Sequence, residues 1–254
     1  MIASLQVGAF TSPKIELEQY ATTPDLAARI LLLAAGHGDI QGKNVVDLGC
    51  GTCMLSIAAV CCGAGSVLGV DTDPDAIADA QTNLAALEMD EDVDLLMSDV
   101  TRFASACERL PRSITSAPEA AAACSPSAAA SSAGAHTPST AAASKPAELS
   151  SGSARLPVDT VIMNPPFGTR TAGADAAFIV AAAALRPRAI YSLHKTSTRD
   201  FLVAKAASVG YKAVAAAEMA FDLPKTYVFH KQASGTVAVD LLRMTPIVDA
   251  PAAE

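Results

Sequence analysis

Asn164-Pro165-Pro166-Phe167 is the stretch of this chain best suited to chemistry. An Asn side-chain oxygen and the backbone carbonyl ahead of a proline can both accept hydrogen bonds from one planar NH2 group. The ring of Phe167 can stack on the flat system that carries such an amine. Two successive prolines fix φ and hold the loop away from helix. The four residues read as a socket for an amino group on a heterocycle or an amide, with Asn164, Pro165, Pro166 and Phe167 as candidate catalytic residues. They follow an apolar run at 158–163 that reads as a buried strand. That puts the socket at the C-terminal end of a strand, where open α/β sheets place their ligands.

A second constellation lies upstream. Val46-Asp47-Leu48-Gly49-Cys50-Gly51-Thr52 follows one strand-like run and precedes a small-residue helix. Gly49 and Gly51 permit a tight turn and close approach of the backbone to a ligand. Met54 stands where a dinucleotide fingerprint would place its third glycine, which weakens the case for NAD. Asp71 ends the next strand, 20 residues beyond Gly51, where a carboxylate can accept from both hydroxyls of a ribose. Asp99 ends the strand after that and can accept from an adenine amine. A glycine turn, a ribose acid and an adenine-side acid in this order describe S-adenosyl-L-methionine. Singly, Asp47, Asp71 or Asp99 could be a helix cap; the ordered set favours the cofactor. Thr52, Thr72 and Val100 flank these positions and complete the candidate cofactor surface. Cys50 and Cys53 have CxxC spacing, but no second pair or nearby His completes a zinc set, so no metal site is expected.

The elements that must position these residues follow from pattern. Thr23-Pro24-Asp25 opens a helix: Thr can cap, Pro fits the first turn, and Asp favours the positive end. Asp73-Pro74-Asp75 opens another by the same logic. Short apolar runs at 44–48, 67–70 and 93–97 read as strands, and with the helices between them as parallel βαβ units. After 158 come a helix at 175–185, a strand at 188–193, a helix at 199–209 and two closing strands, 211–219 and 236–243. Two closing strands suggest a hairpin, so one strand is expected to run antiparallel to the rest.

Between these halves the composition changes. From 113 to 153, 29 of 41 residues are Ala, Ser or Pro, and no apolar period indicates a packed element. The expected organisation is one domain formed by 1–103 and 158–245, a disordered insertion at 104–157, and a frayed tail at 246–254. The net charge of −8 argues against broad affinity for nucleic acid, without excluding a local basic face. The basic residues Arg186, Arg188, His194, Lys195, Arg199 and Lys205, with Lys225, His230 and Lys231 further on, could provide one. Six cysteines without a secreted-type framework, no visible signal peptide and no apolar run of membrane-spanning length point to an intracellular protein, nuclear, nucleolar or cytoplasmic, with no membrane contact.

The chain resembles the methyltransferase-like protein 5 family. The resemblance rests on Leu17-Glu18-Gln19-Tyr20, Asp47-Leu48-Gly49-Cys50-Gly51, Leu55-Ser56-Ile57, the run from Asp159 through Asn164-Pro165-Pro166-Phe167 to Thr169, the run from Tyr191 through His194-Lys195 to Arg199, and Phe229-His230-Lys231. It implies a Rossmann-like, seven-stranded class I methyltransferase fold, mostly parallel with one antiparallel strand. It implies N6-methylation of an adenine in small-subunit (18S-type) rRNA, with S-adenosyl-L-methionine as cofactor. Gln19 and Thr22 would lie near that cofactor, Gly49 and Asp71 on it and Asp99 at its adenine, while Asn164 to Phe167 would take the target base. It also implies a heterodimer with a small zinc-binding activator protein, the zinc belonging to that partner. The chain departs from the family at Ala21, where proline is usual. An NPP-aromatic socket also suits a glutamine amide, and a methyltransferase fold can act as a non-catalytic scaffold; both readings compete with rRNA methylation.

Overall fold

The computed structural model describes residues 2–109, 157–223 and 235–247. Its seven-stranded sheet is built from β1 (Asn44–Leu48), β2 (Ser66–Asp71), β3 (Val93–Met97), β4 (Thr160–Met163), β5 (Ala189–Lys195), β6 (Tyr211–Leu223) and β7 (Gly235–Pro246). The spatial order is β3-β2-β1-β4-β5-β7-β6. Neighbouring pairs are parallel from β3 to β5, and β7 runs antiparallel to both β5 and β6. The single antiparallel strand expected from the closing hairpin is therefore β7. The hairpin strands extend past 211–219 and 236–243, and a bulge falls between Ala215 and Ala217.

Six helices cover the two faces: α1 (Pro24–Gly36), α2 (Met54–Cys61), α3 (Pro74–Ala86), α4 (Val100–Arg109), α5 (Ala174–Ala184) and α6 (Arg199–Ser208). Side chains alternate across a strand, and the core divides accordingly. Val45 and Ile162 face α1–α3 in one apolar cluster, while Val46 and Val161 face α4–α6 in the other. α1 and α3 begin as their sequences dictate. The Thr23 hydroxyl accepts from Leu26 N–H at 3.3 Å, the Asp73 carboxylate from Asp75 N–H at 3.1 Å, and Pro24 and Pro74 hold the first helical position.

α4 was not expected. Its core contacts are Val100, Phe103, Ala104 and Cys107, spaced as one helical face. The packed fold therefore runs past 103 to Arg109, which shortens the expected insertion at its start. Residues 110–156, the basic positions Lys225, His230 and Lys231, and the tail from 248 lie outside the described residues. No described helix is long and apolar enough to cross a membrane.

One feature of the topology places the site. The chain runs outward from β1 to β3, then returns to lay β4 against the other side of β1. Asp47 pairs with Ile162 across that seam. Two residues further on, Gly49 and Asn164 leave the sheet side by side, at the switch point where open α/β sheets bind ligands.

Candidate active site

The turn after β1 is shaped by glycine. Gly49 and Gly51 have φ of 72° and 52°, in the left-handed region. A Cβ on Gly51 would lie 2.8 Å from the Phe10 ring, and one on Gly49 would lie 3.0 Å from the Phe178 ring. Two of the chain's few aromatics thus close over this turn.

Asp71, at the end of β2, braces it. Its Oδ2 accepts Gly51 N–H at 2.9 Å, and its Oδ1 accepts Asp73 N–H at 2.9 Å. Burial pushes this carboxyl above the ordinary carboxylate value, and those N–H groups oppose the rise. Each oxygen retains acceptor capacity.

Gly49, Gly51, Thr52, Asp71, Thr72, Asp99 and Val100 line one cavity of about 330 Å³, together with Gln19, Thr22, Asn164 and Pro166. The structure thus brings most of both sequence constellations around one space, while Asp47, Pro165 and Phe167 lie off its wall. The cavity also matches a nucleoside-sized ligand in chemistry: a buried carboxylate at the end of β2, glycines whose Cβ atoms would meet their neighbours, and aromatic walls.

Asp99 serves two ends. Its Oδ1 accepts from the N–H groups of Thr101 and Arg102, both at 3.0 Å, capping α4 while the residue lines the cavity. The Thr101 hydroxyl, then those N–H groups, hold its carboxyl below the usual value.

Asp47 is placed differently from the others. It lies beneath the turn and outside the cavity wall, with its Oδ2 accepting the Ser56 hydroxyl at 2.7 Å. Its Oδ1 is buried without a hydrogen-bond partner among the described residues. Burial pushes its pKa up to about 7, against the opposing Ser56 bonds.

β4, buried along its whole length, delivers the socket. Pro165 is buried beneath it, while Asn164, Pro166 and Phe167 are partly exposed. The Asn164 Nδ2 donates to the Thr22 hydroxyl at 3.0 Å, which turns Oδ1 away from that contact. The Phe167 ring meets the edge of Phe221, with centroids 6.0 Å apart, and the Lys195 ammonium lies 5.7 Å from its centroid.

The N-terminal segment, from which the family resemblance brought only Gln19 and Thr22 to the cofactor, contributes more of the wall than residue pattern indicates. Gly8 N–H donates to Asn83, Thr11 to Asp79, and Gln19 Nε2 to Asp73 at 2.7 Å; Lys14 pairs with Asp73 and Asp75. These bonds pin the segment along α3, and Phe10, Glu18, Tyr20 and Ala21 join Gln19 and Thr22 in the cavity wall. The partners are some 54 to 75 residues apart, beyond any local pattern.

Two expected basic contacts are internal. His194 is buried on the α4–α6 side, its Nε2 2.6 Å from Ser192 Oγ, and burial lowers its pKa to about 3. The Arg199 guanidinium is held by Asp240 and Glu218. Among the described residues of this group, Lys195 stands beside the socket, over Phe167.

Comparison with known proteins agrees with this geometry. A family model described as ribosomal protein L11 methyltransferase (PrmA) matches residues 29–107. The chain is 35% identical over 243 residues to the rRNA N(6)-adenosine-methyltransferase METTL5 of Danio rerio, covering 95% of this chain and 94% of that protein. It is 35% identical over 239 residues to the Drosophila melanogaster protein of the same name, covering 93% and 90%. Among solved structures, a candidate RNA methyltransferase from Pyrococcus horikoshii matches with a TM-score of 0.68 at 26% identity, covering 96% of this chain and 93% of that one.

Proposed function

The chain belongs to the methyltransferase-like protein 5 family of rRNA N6-adenosine methyltransferases, and from that premise we propose that its target is an adenine of small-subunit rRNA, held for reaction by Asn164-Pro165-Pro166-Phe167. It is an S-adenosyl-L-methionine-dependent RNA adenine-N6 methyltransferase with the class I fold. The observation that carries the finer reading is the placement of Asn164 on the wall of the cavity that Gly49, Asp71 and Asp99 also line.

When bound, the sulfonium cofactor supplies an electrophilic methyl group. The residues of this chain supply orientation. The Gly49–Thr52 turn would take the cofactor against its backbone, Asp71 would accept from its ribose hydroxyls, and Asp99, beside Thr72 and Val100, would accept from its adenine amine. Gln19 and Thr22 close the same space from the N-terminal side. On the substrate side, Asn164 Oδ1 and the Pro165 carbonyl accept the two hydrogens of the target amine. An aromatic amine is a weak nucleophile because its lone pair is delocalised into the ring. Two acceptors in fixed positions favour the localised lone pair and aim it at the methyl carbon. Phe167 stacks on the base. Phe221 and Lys195 hold that ring in place, and Pro166 stiffens the loop. A base drawn from a paired region would have to be flipped out of its stack.

A small zinc-binding activator protein is the proposed partner. β3 is an edge strand, and Leu96 and Met97 on it are 39% and 61% exposed. An apolar edge of this kind supports pairing with another chain. The catalytic unit is taken as the described residues on either side of the Ala/Ser/Pro-rich segment.

Methyl transfer from labelled S-adenosyl-L-methionine to purified small-subunit rRNA, large-subunit rRNA and a release factor, each offered with the activator present, tests this reading. Label recovered as N6-methyladenosine at one position supports it. Label in large-subunit rRNA alone, or on a glutamine of a release factor, sinks it.

A further inference from the structure

The N-terminal segment lies as a strap along α3 and the cavity wall, and two of its residues touch the target-base loop. Glu18 follows a short 3-10 turn (Ile15–Leu17) and has φ of 51°, its N–H closing on Ile15 O at 3.0 Å. From there its carboxylate takes two backbone donors of the loop: Oε2 accepts Phe167 N–H at 3.1 Å, and Oε1 accepts Arg170 N–H at 2.8 Å. Thr22 precedes the Thr23 cap of α1, so the start of that helix fixes its position. Its hydroxyl accepts from Asn164 Nδ2. Gln19, between these two residues, and Lys14, just before them, anchor the strap on Asp73.

We propose that Glu18 and Thr22 are positioning residues for the target-amine socket: Glu18 sets the path of the loop on both sides of Gly168, and Thr22 anchors the Asn164 amide by its NH2 end. This rests on the socket reading above and adds a substrate-side task to a segment placed there with the cofactor. An Asn amide has an oxygen face and a nitrogen face of nearly equal size. Only one orientation presents an acceptor to an amine. The Thr22 oxygen engages the NH2 end and leaves Oδ1 for the substrate. The Phe167 and Arg170 N–H groups leave a strand end with no ladder partner, so a carboxylate that takes both determines where Phe167 can stand. Because the strap also walls the cofactor cavity, one segment aligns the electrophile's chamber with the nucleophile's holder.

The test uses the full chain with its activator and four variants: Thr22→Val, Thr22→Ser, Glu18→Gln and Asn164→Ala. For each, the melting temperature, the dissociation constant for S-adenosyl-L-methionine, and kcat and KM on small-subunit rRNA are measured. Thr22→Val removes the hydroxyl and keeps the shape. Glu18→Gln puts an NH2 against one of the two backbone donors. Both are expected to lower kcat by about ten- to a hundredfold, the scale of a small misplacement of a reacting group. Measured at saturating cofactor, the fall in kcat should exceed any fall in cofactor affinity, since the lost contacts are to Asn164, Phe167 and Arg170. Thr22→Ser restores the hydroxyl and should recover most of kcat even if Thr22→Val folds poorly. Cofactor affinity falling in step with kcat/KM, or an unchanged kcat, overturns the proposal. An active Asn164→Ala protein removes the socket reading itself. An inactive Asn164→Ala beside fully active Thr22→Val and Glu18→Gln leaves that reading standing and removes only the positioning role.

Discussion

The Asp71 carboxylate holds the Gly51 N–H at 2.9 Å, so the acid that ends β2 also supports the turn that ends β1. Substituting it disturbs two adjacent parts of the cofactor chamber. Asp71→Asn keeps the shape but puts an NH2 against one of the two N–H donors and removes the charge. Hydrogen bonds to charged groups contribute about 1.5–3 kcal/mol, so cofactor affinity should fall by roughly ten- to a hundredfold. Calorimetric titration checks this; an affinity within experimental error of the parent would remove Asp71 from the cofactor site.

Gly51→Ala should weaken cofactor binding by a route that can be dissected. The left-handed backbone costs an L side chain about 1 kcal/mol or more, and the new Cβ meets the Phe10 ring at 2.8 Å. Adding Phe10→Ala relieves the contact but leaves the backbone strain. The double variant should therefore recover part of the lost melting temperature and not all of it. Full recovery would assign the whole effect to the contact.

Asp47 makes a pH signature. Its folded pKa of about 7 lies above the ordinary 3.8. The folded state therefore holds a proton that the unfolded chain has released between these values. The stability this gives is complete below about pH 4 and is lost as pH rises to about 7. His194 acts in the opposite sense. Its folded pKa of about 3, against 6.5, means stability is present above about 6.5 and lost as pH falls toward 3. The two slopes offset each other in mildly acid solution. Asp47→Asn removes only the first. Melting temperatures from pH 4 to 8 should show the variant gaining on the parent as pH rises, with the gain levelling above about 7. A constant difference would show that Asp47 is ionised throughout.

Arg199 and Asp240 offer a stability test away from the chemistry. Arg199 Nε and Nη2 reach both oxygens of Asp240, at 2.6 and 2.7 Å, and Asp240 is fully buried. Arg199→Ala removes the charged partner of that carboxylate and leaves it the Thr196 hydroxyl, at 2.9 Å. A loss of stability is expected because the buried carboxylate loses its charged partner, moderated by the exposure of Arg199 to solvent. Adding Asp240→Asn should restore part of it. Urea denaturation measures both, and a loss under about 0.5 kcal/mol would class the pair with ordinary surface bridges.

What could be read in the sequence was local. Thr23-Pro24 and Asp73-Pro74 announce their helices because a cap and a fixed φ act within one turn. The strands were legible as apolar runs bounded by polar or glycine turns, and their order followed from alternation with helices. α4 carries the helical spacing at Val100, Phe103, Ala104 and Cys107, but it is short and runs directly into the Ala/Ser/Pro-rich stretch, which obscures where the packed chain ends. Asp47 stood in the right motif, but its side chain follows the strand's alternation downward to Ser56. Glu18 and Phe178 could not be assigned contacts from pattern, since Glu18 meets Phe167 across 149 residues of chain and Phe178 meets Gly49 through the packing of α5.

The strap also bears on how fragments of this chain should be judged. A polypeptide beginning at Pro24 would keep the glycine turn, Asp71, Asp99 and the whole socket loop, and any motif search would score it as complete. It would lack Phe10, Glu18 and Thr22, and with them one wall of the chamber and the ties on Asn164 and Phe167. An expression boundary drawn at the first well-formed helix would yield a folded body with an open reaction chamber. Inactivity measured on such a piece would describe the cut and leave the enzyme untested.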